Sequence, residues 1–398
     1  MTHGAPTVAS VVPYRPTPLE AACGTLWELD TDAEPLPDVS RFRTAREAFE
    51  QAVLVGLNRS PCGVSFSGGR DSSAVLAVAT HVARREGLPL PIPVTLRFPL
   101  CETSDETAWQ ERVIDHLGID EWCRVELTDE IDVLGPYAQQ VLSRHGVIWP
   151  FNTHFHAPIA EQVAGGSVLT GVFGDELLSA WPSRRVAMLF SGQSRPRPRD
   201  IPNVARALAP RAVRSRLNQR DYARREPLPW LQPDARREVA RARGRATALE
   251  PMRWDDSVRR YWWRTRYLRT GCDSLGRVIA DADGALAVHP LCDREFLIAI
   301  AGECAEVGFR NRTQAMEVLF GDLLPEPILS RTSKSLFNAA FWEHRAQAFV
   351  AQWDGSGLDD SVVDTSVLRE VWSDARPDSH SFVLLQQAWL HQHTHSSG

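Results

Sequence analysis

The stretch VSFSGGRDSS, residues 64–73, gathers Ser65, Ser67, Gly68, Gly69, Asp71, Ser72 and Ser73 in one run. Glycines let a backbone approach a ligand closely and take positive φ. An apolar run precedes them and a helical pattern follows, so the turn leads into a helix N-terminus, where free N–H groups and the dipole attract an anion. The serine hydroxyls add donors, and together these groups make a nest for a phosphate-like ligand. No Lys-Ser/Thr pair follows the glycines, which excludes a Walker A loop. Asp71 lies inside the turn. A carboxylate beside phosphates is repulsive unless a cation bridges them, so Asp71 implies Mg2+.

A second turn, TGVFGDE at residues 170–176, also follows a predicted strand and brings Gly171, Asp175 and Glu176. In a doubly wound sheet the C-terminal ends of the strands share one crevice. Asp71 and Asp175 could then hold one metal over one pyrophosphate. Capping of a helix N-terminus is the other use of acids at such a place. The third stretch is RTSKSLF, residues 331–337. Lys334 is the only lysine among 44 basic side chains, the other 43 being arginine. Arginine serves as well for solubility and ion pairs, whereas a lysine ammonium is a compact, mobile point charge with three donors. A role specific to lysine is expected at Lys334.

The elements that must position these residues follow from periodicity. TAREAFEQAVLVGL, residues 44–57, has helical spacing with Thr44 as its cap. Beyond it, IPVTLRF and CRVEL read as strands, DETAWQERVIDHLG and PYAQQVLSRHG as helices, and SVLTGVFGDELL as strand, turn and helix start. GTLWELD near the N-terminus reads as one further strand. Strands alternating with helices imply βαβ units and a mainly parallel sheet. We divide the chain into a short segment 1–44, an ATP-binding α/β domain 45–190, an Arg-rich insert 191–250, a helical C-terminal part 251–390 and a polar tail 391–398. Between Arg195 and Arg245, fifteen arginines face five acids, against a net charge of −6 for the whole chain. That insert is either a solvated helical surface or a landing surface for an acidic partner.

Composition narrows the class. A hydrophobic content of 43% with 24% charged residues fits a protein with a real core. The net charge carries no nucleic-acid signature. No apolar run approaches the ~20 residues of a membrane helix, and the first residues show no signal peptide. Seven scattered cysteines without a CxxC pair argue against a zinc ribbon or disulfide framework, and for reduced thiols in the cytoplasm. Most of the thirteen tryptophans are expected in core or pocket walls.

SFSGGRDSS resembles the SGGxDS pyrophosphate loop of N-type ATP pyrophosphatases. Followed in order by DETAWQERVIDHLG, TGVFGDELL, HPLCDREFLIAI and LLPEPILSRTSKSLF, it is similar to the synthetase domain of the asparagine synthetase family, which includes β-lactam synthetases and lasso-peptide cyclases. The matches run from about residue 45 to 345. The resemblance implies a Rossmann-like parallel sheet of the adenine nucleotide α-hydrolase type with a helical C-terminal region. It also implies adenylation of a carboxylate with ATP and Mg2+, release of pyrophosphate, and attack of an amine on the acyl-AMP. RTSKSLF is similar to the late R-x-x-K motif, whose lysine contacts the phosphates; this assigns Lys334 a catalytic role, as charge develops in the transition state. Arg331 is left between packing and function.

The match also breaks. Family members usually read SGEGxDE at the second turn, or carry a tyrosine at the glutamate's place. Here that position is Val172, followed by the bulky Phe173, so the base is vacant. His154 and His156, in WPFNTHFHAPI just upstream, offer imidazoles, or are structural histidines. With Val172 and Glu176 they are the candidates for a substrate pocket. Only about 45 residues precede the synthetase-like region, too few for a glutaminase domain, so the expectation is that ammonia or another amine arrives from elsewhere, for example from a separate amidotransferase. The favoured function is a ligase for a specialised small-molecule or peptide carboxylate, the peptide brought by a carrier partner. The alternatives are asparagine formation from aspartate, a non-catalytic nucleotide-binding subunit, and RNA thiolation, which the missing CxxC disfavours.

Overall fold

The computed structural model describes residues 15–99, 101–225, 228–333 and 338–395. Five short strands form the sheet: β1 Cys62–Ser65, β2 Ile92–Arg97, β3 Cys123–Glu126, β4 Ser167–Leu169 and β5 Leu286–Val288. Their order is β3-β2-β1-β4-β5, and every neighbouring pair is parallel. Val64 of β1 lies between Pro93 of β2 and Leu169 of β4. The chain therefore grows outward from β1 in one direction, then returns to β4 on the other side. That reversal opens a crevice beyond the C-terminal ends of β1 and β4. This is the Rossmann-like α/β fold expected from the strand and helix pattern.

The helices that cover the sheet, build the insert and frame the crevice include α1 Ala45–Leu57, α2 Arg70–Glu86, α3 Thr107–Leu117, α4 Arg211–Arg225, α5 Pro233–Thr247, α6 Arg266–Ala280, α7 Arg294–Cys304, α8 Arg312–Phe320 and α9 Phe382–His395. Thr44 caps α1 by accepting from the Glu47 N–H, and α2 ends at Gly87 with φ 67°. One core layer joins α1, α2, α7 and α8 to the sheet: the Phe49 ring meets Phe296 and Phe320 edge-on at 5.1 and 5.4 Å. The other layer sets Val94 and Val168 against Trp230, Ile279, Trp353 and Leu385. None of the thirteen tryptophans is exposed, as their number led us to expect.

Two elements differ from the sequence reading. β5 falls inside the C-terminal stretch whose pattern reads as helical throughout. GTLWELD forms no strand; it contributes one antiparallel bridge, Leu29 to Thr265, closed by Asp30 N–H donating to Arg264 O at 2.7 Å and Arg266 N–H donating to Glu28 O at 2.9 Å. The Arg-rich insert is helical. α4 buries no residue. It rests on α5 at Gly244, where a Cβ would come within 2.7 Å of Ser215 O. Several cations are used internally: Arg206 pairs with Asp221 at 2.7 Å, and Arg243 lies over the Tyr222 ring. All seven cysteines are free. Among the described residues no helix is long and apolar enough to cross a membrane.

Candidate active site

The two turns meet at the crevice. After β1 the chain passes through Ser67, Gly68 and Gly69 into α2. Gly68 has φ 82°, and a Cβ there would sit 2.8 Å from Gln110 Cγ, so only glycine fits. Within the turn the Gly69 N–H donates to Ser67 Oγ and Ser72 Oγ donates to Gly69 O. Ser65, Ser67, Gly69 and Ser72 line a cavity of about 490 Å3. Ser73 does not; it is fully buried in α2, and its N–H donates to Gly69 O at 3.0 Å, so its expected place in the nest is not the one it takes.

The second turn leaves β4 through Thr170 and Gly171, then Phe173 at φ 65°. A left-handed conformation costs a residue with a side chain about 1–2 kcal/mol, and such strain concentrates at functional sites. The turn is held tightly against the first. A Cβ on Gly171 would lie 2.8 Å from the Ser72 nitrogen, and one on Gly174 2.3 Å from Asp71 Cγ. Asp71 and Asp175 are thereby brought together, and one guanidinium, that of Arg312 at the start of α8, forms ion pairs with both. Burial pushes the Asp71 carboxyl up from its usual range, against the pull of Arg312 and Arg70. Its Oδ1 has no partner. Two carboxylates already sharing a cation, one with an unused buried oxygen, fit a divalent metal. Among the described residues there is no group of three or more His, Cys, Asp or Glu that could hold a metal ion.

Three guanidinium groups face the same cavity. Arg331 is buried; it donates to Gly68 O at 2.8 Å and to Glu106 at 2.5 Å, and lies over the Trp109 ring at 4.6 Å. It thus clamps the Gly-rich turn. Arg70 and Arg312 line the cavity beside it. Their mutual repulsion, added to burial, lowers the Arg70 pKa. The uncapped N-terminus of α2 and the Arg70 guanidinium are groups that can receive an anion here, while Arg312 and Arg331 are paired with the cavity's own carboxylates. Lys334 lies outside the described residues.

A second cavity, about 430 Å3, adjoins the first. Asp71, Asn152, Phe155, His156, Gly171, Val172 and Asp175 line both. Glu176 lies only on the second, and its Oε1 accepts from Tyr267 Oη at 2.7 Å. Of the two histidine candidates, His156 belongs here. It is 9% exposed and its Nδ1 has no partner. His154 lines neither cavity; its ring is buried between Ile131 O and Phe151 O. For His154 the structural alternative is the one realised.

Burial pushes His154 down to about 4, His156 to about 3 and His289 to about 4, from 6.5. All three are neutral when folded at neutral pH. The unfolded chain takes up their protons first, so the stability they lend is complete above about pH 6.5 and is lost as pH falls toward about 4. Urea midpoints measured across that window are expected to drop steeply; a flat profile would contradict the burial of these rings.

The sequence reading missed Arg70, Arg312 and Glu106. In a chain with 43 arginines no single arginine stands out, and Glu106 gains meaning only from Arg331. The one available signal was position: Arg70 sits inside the Gly-rich turn. The family described as asparagine synthase matches this chain over residues 44–392, most of its length. Comparison with curated proteins gives no match.

Proposed function

Since the chain belongs to the asparagine synthase family, whose members are ATP-dependent carbon–nitrogen ligases, we propose that it adenylates a specialised carboxylate, releases pyrophosphate and joins the acyl group to an amine. One observation carries this reading most. Two acid-bearing turns, from opposite sides of the sheet's switch point, pack so closely that Asp71 and Asp175 share one cation.

In this reading the triphosphate lies on the Ser65–Ser72 turn, against the N-terminus of α2. Arg70, Arg312 and Arg331 balance its charge, and Lys334 meets the charge that develops at the reacting phosphate. Asp71 and Asp175 would hold Mg2+, which supplies neutralisation of the phosphate oxygens when bound. The amine reaches the acyl phosphate from the second cavity, along the Gly171–Val172 seam that both cavities share. Attack on the acyl-AMP requires the amine to lose a proton. Val172 cannot accept it. His156, the imidazole that lines both cavities, is the group we assign to that step. His156→Phe is expected to slow amide formation about a hundredfold while leaving carboxylate-dependent ATP–pyrophosphate exchange nearly intact. Equal loss in both assays would remove His156 from the proton transfer.

The reading itself is tested by ATP–pyrophosphate exchange and AMP release with Mg2+, across aspartate, glutamate and acidic peptides. No dependence on any carboxylate would refute it in favour of a nucleotide-binding subunit. Asparagine formed from aspartate and ammonia would favour the second reading. The partner we propose is an acidic chain that brings peptide or amine to the Arg-rich helices, where Val213 and Leu217 are exposed beside Arg216, Arg220 and Arg224. Reversing those three charges is expected to abolish partner-dependent activity only; retention would remove that surface from the scheme.

A further inference from the structure

The second cavity has a wall chemistry of its own. Trp149, Phe173 and Tyr267 form one aromatic surface, Tyr267 lying 4.8 Å from Trp149 and 5.5 Å from Phe173 between ring centroids. The surface is fixed from behind. Trp149 Nε1 donates to Gly24 O at 3.0 Å. The Phe173 ring fills a notch at Gly271, where a Cβ would come within 2.6 Å of its Cζ.

The charges on this cavity have one sign. Asp71, Asp175 and Glu176 line it, and among the described residues no arginine or lysine does. His380 is on the rim, but its ring is bonded to Asp378 at 2.7 Å. The Arg312 charge that offsets Asp71 and Asp175 lines the phosphate cavity instead. Glu176 is left with Oε2 accepting from no described residue.

We propose that this cavity takes a protonated amine on an aromatic or bulky apolar body, with its ammonium between Glu176 and the Tyr267 ring. The ammonium would be held by a charge-assisted hydrogen bond and by the ring face, and the body would cover Trp149 and Phe173. A free acidic amino acid is disfavoured by the same groups. Its second carboxylate would lie beside Glu176, where no described arginine or lysine lines the cavity to meet it. His156, on the boundary, would then stand where the ammonium must give up its proton before attack. The inference rests on the ligase reading, since it names the amine of that reaction.

Calorimetric titration tests it without turnover, so its failure can be told apart from failure of adenylation, which exchange measures. The probes are phenethylamine, the neutral phenethyl alcohol and L-aspartate, each with and without a non-hydrolysable ATP analogue and Mg2+. Phenethylamine is expected to bind about tenfold tighter than the alcohol, and aspartate to bind most weakly. Glu176→Gln should erase the tenfold preference, while Trp149→Ala should weaken amine and alcohol alike. The proposal is overturned if aspartate binds tighter than phenethylamine, if phenethylamine fails to bind in either state, or if Glu176→Gln retains the preference for the ammonium.

Discussion

Lys334→Ala is expected to lower carboxylate-dependent ATP–pyrophosphate exchange by about 10²–10³-fold, the scale on which loss of one donor aimed at developing charge acts. Nucleotide binding, read by calorimetry, should change far less, because in the proposed reading the Gly-rich turn and Arg70, Arg312 and Arg331, which line the same cavity, would still meet the phosphates. A chain with 43 arginines keeps one lysine, in the segment whose Arg331 clamps the Gly-rich turn. A charge that moves as pyrophosphate departs favours a compact ammonium over a planar fork. Lys334→Arg is therefore the informative control. It should restore little of the rate although it restores the charge. Exchange within threefold of the parent in Lys334→Ala, judged against that 10²–10³ expectation, would sink the assignment.

Arg331→Ala is expected to cost roughly 3–5 kcal/mol in urea unfolding, the range for removing one partner of a buried ion pair. Arg331 and Glu106 are both 6% exposed. Without the guanidinium, Glu106 would be a buried carboxylate with no counter-charge, the Gly68 carbonyl would lose its donor, and Trp109 its stacked cation. The paired change Arg331→Met with Glu106→Leu should recover much of the loss, since an apolar pair of similar volume removes the stranded charge. Exchange should stay impaired in that double variant, because nothing would then clamp Gly68. A loss below about 1 kcal/mol for Arg331→Ala, the scale of an exposed pair, would show that the ion pair is wet.

What the sequence made legible is what local rules control. The Gly-rich turn, the acid in it and the strand before it are adjacent in the chain, so their order and placement could be read directly. Repetition of strand, turn and acid at Asp175 pointed to the same crevice. β5 was invisible because it spans three residues, Leu286–Val288, all only partly buried; it is a strand because β4 offers an edge, not because of its own pattern. Arg312 was invisible because its meaning lies in two carboxylates far along the chain. His154 and His156 differ by two positions, and only the packing of Phe341 and Ile131 around one of them decided which faces the cavity.

The late origin of β5 sets a timetable for synthesis. When β4 has left the ribosome its outer edge has no partner, and none exists until Leu286–Val288 are made. At about 5–20 residues per second the wait is on the order of ten seconds. Throughout it the nascent chain shows an open, parallel-sheet edge, a template for pairing with other chains. Fragments that stop before β5, although they contain both phosphate-side turns, keep that edge for good, so the α/β half of this protein should be recovered from cells only when the helical half is made with it.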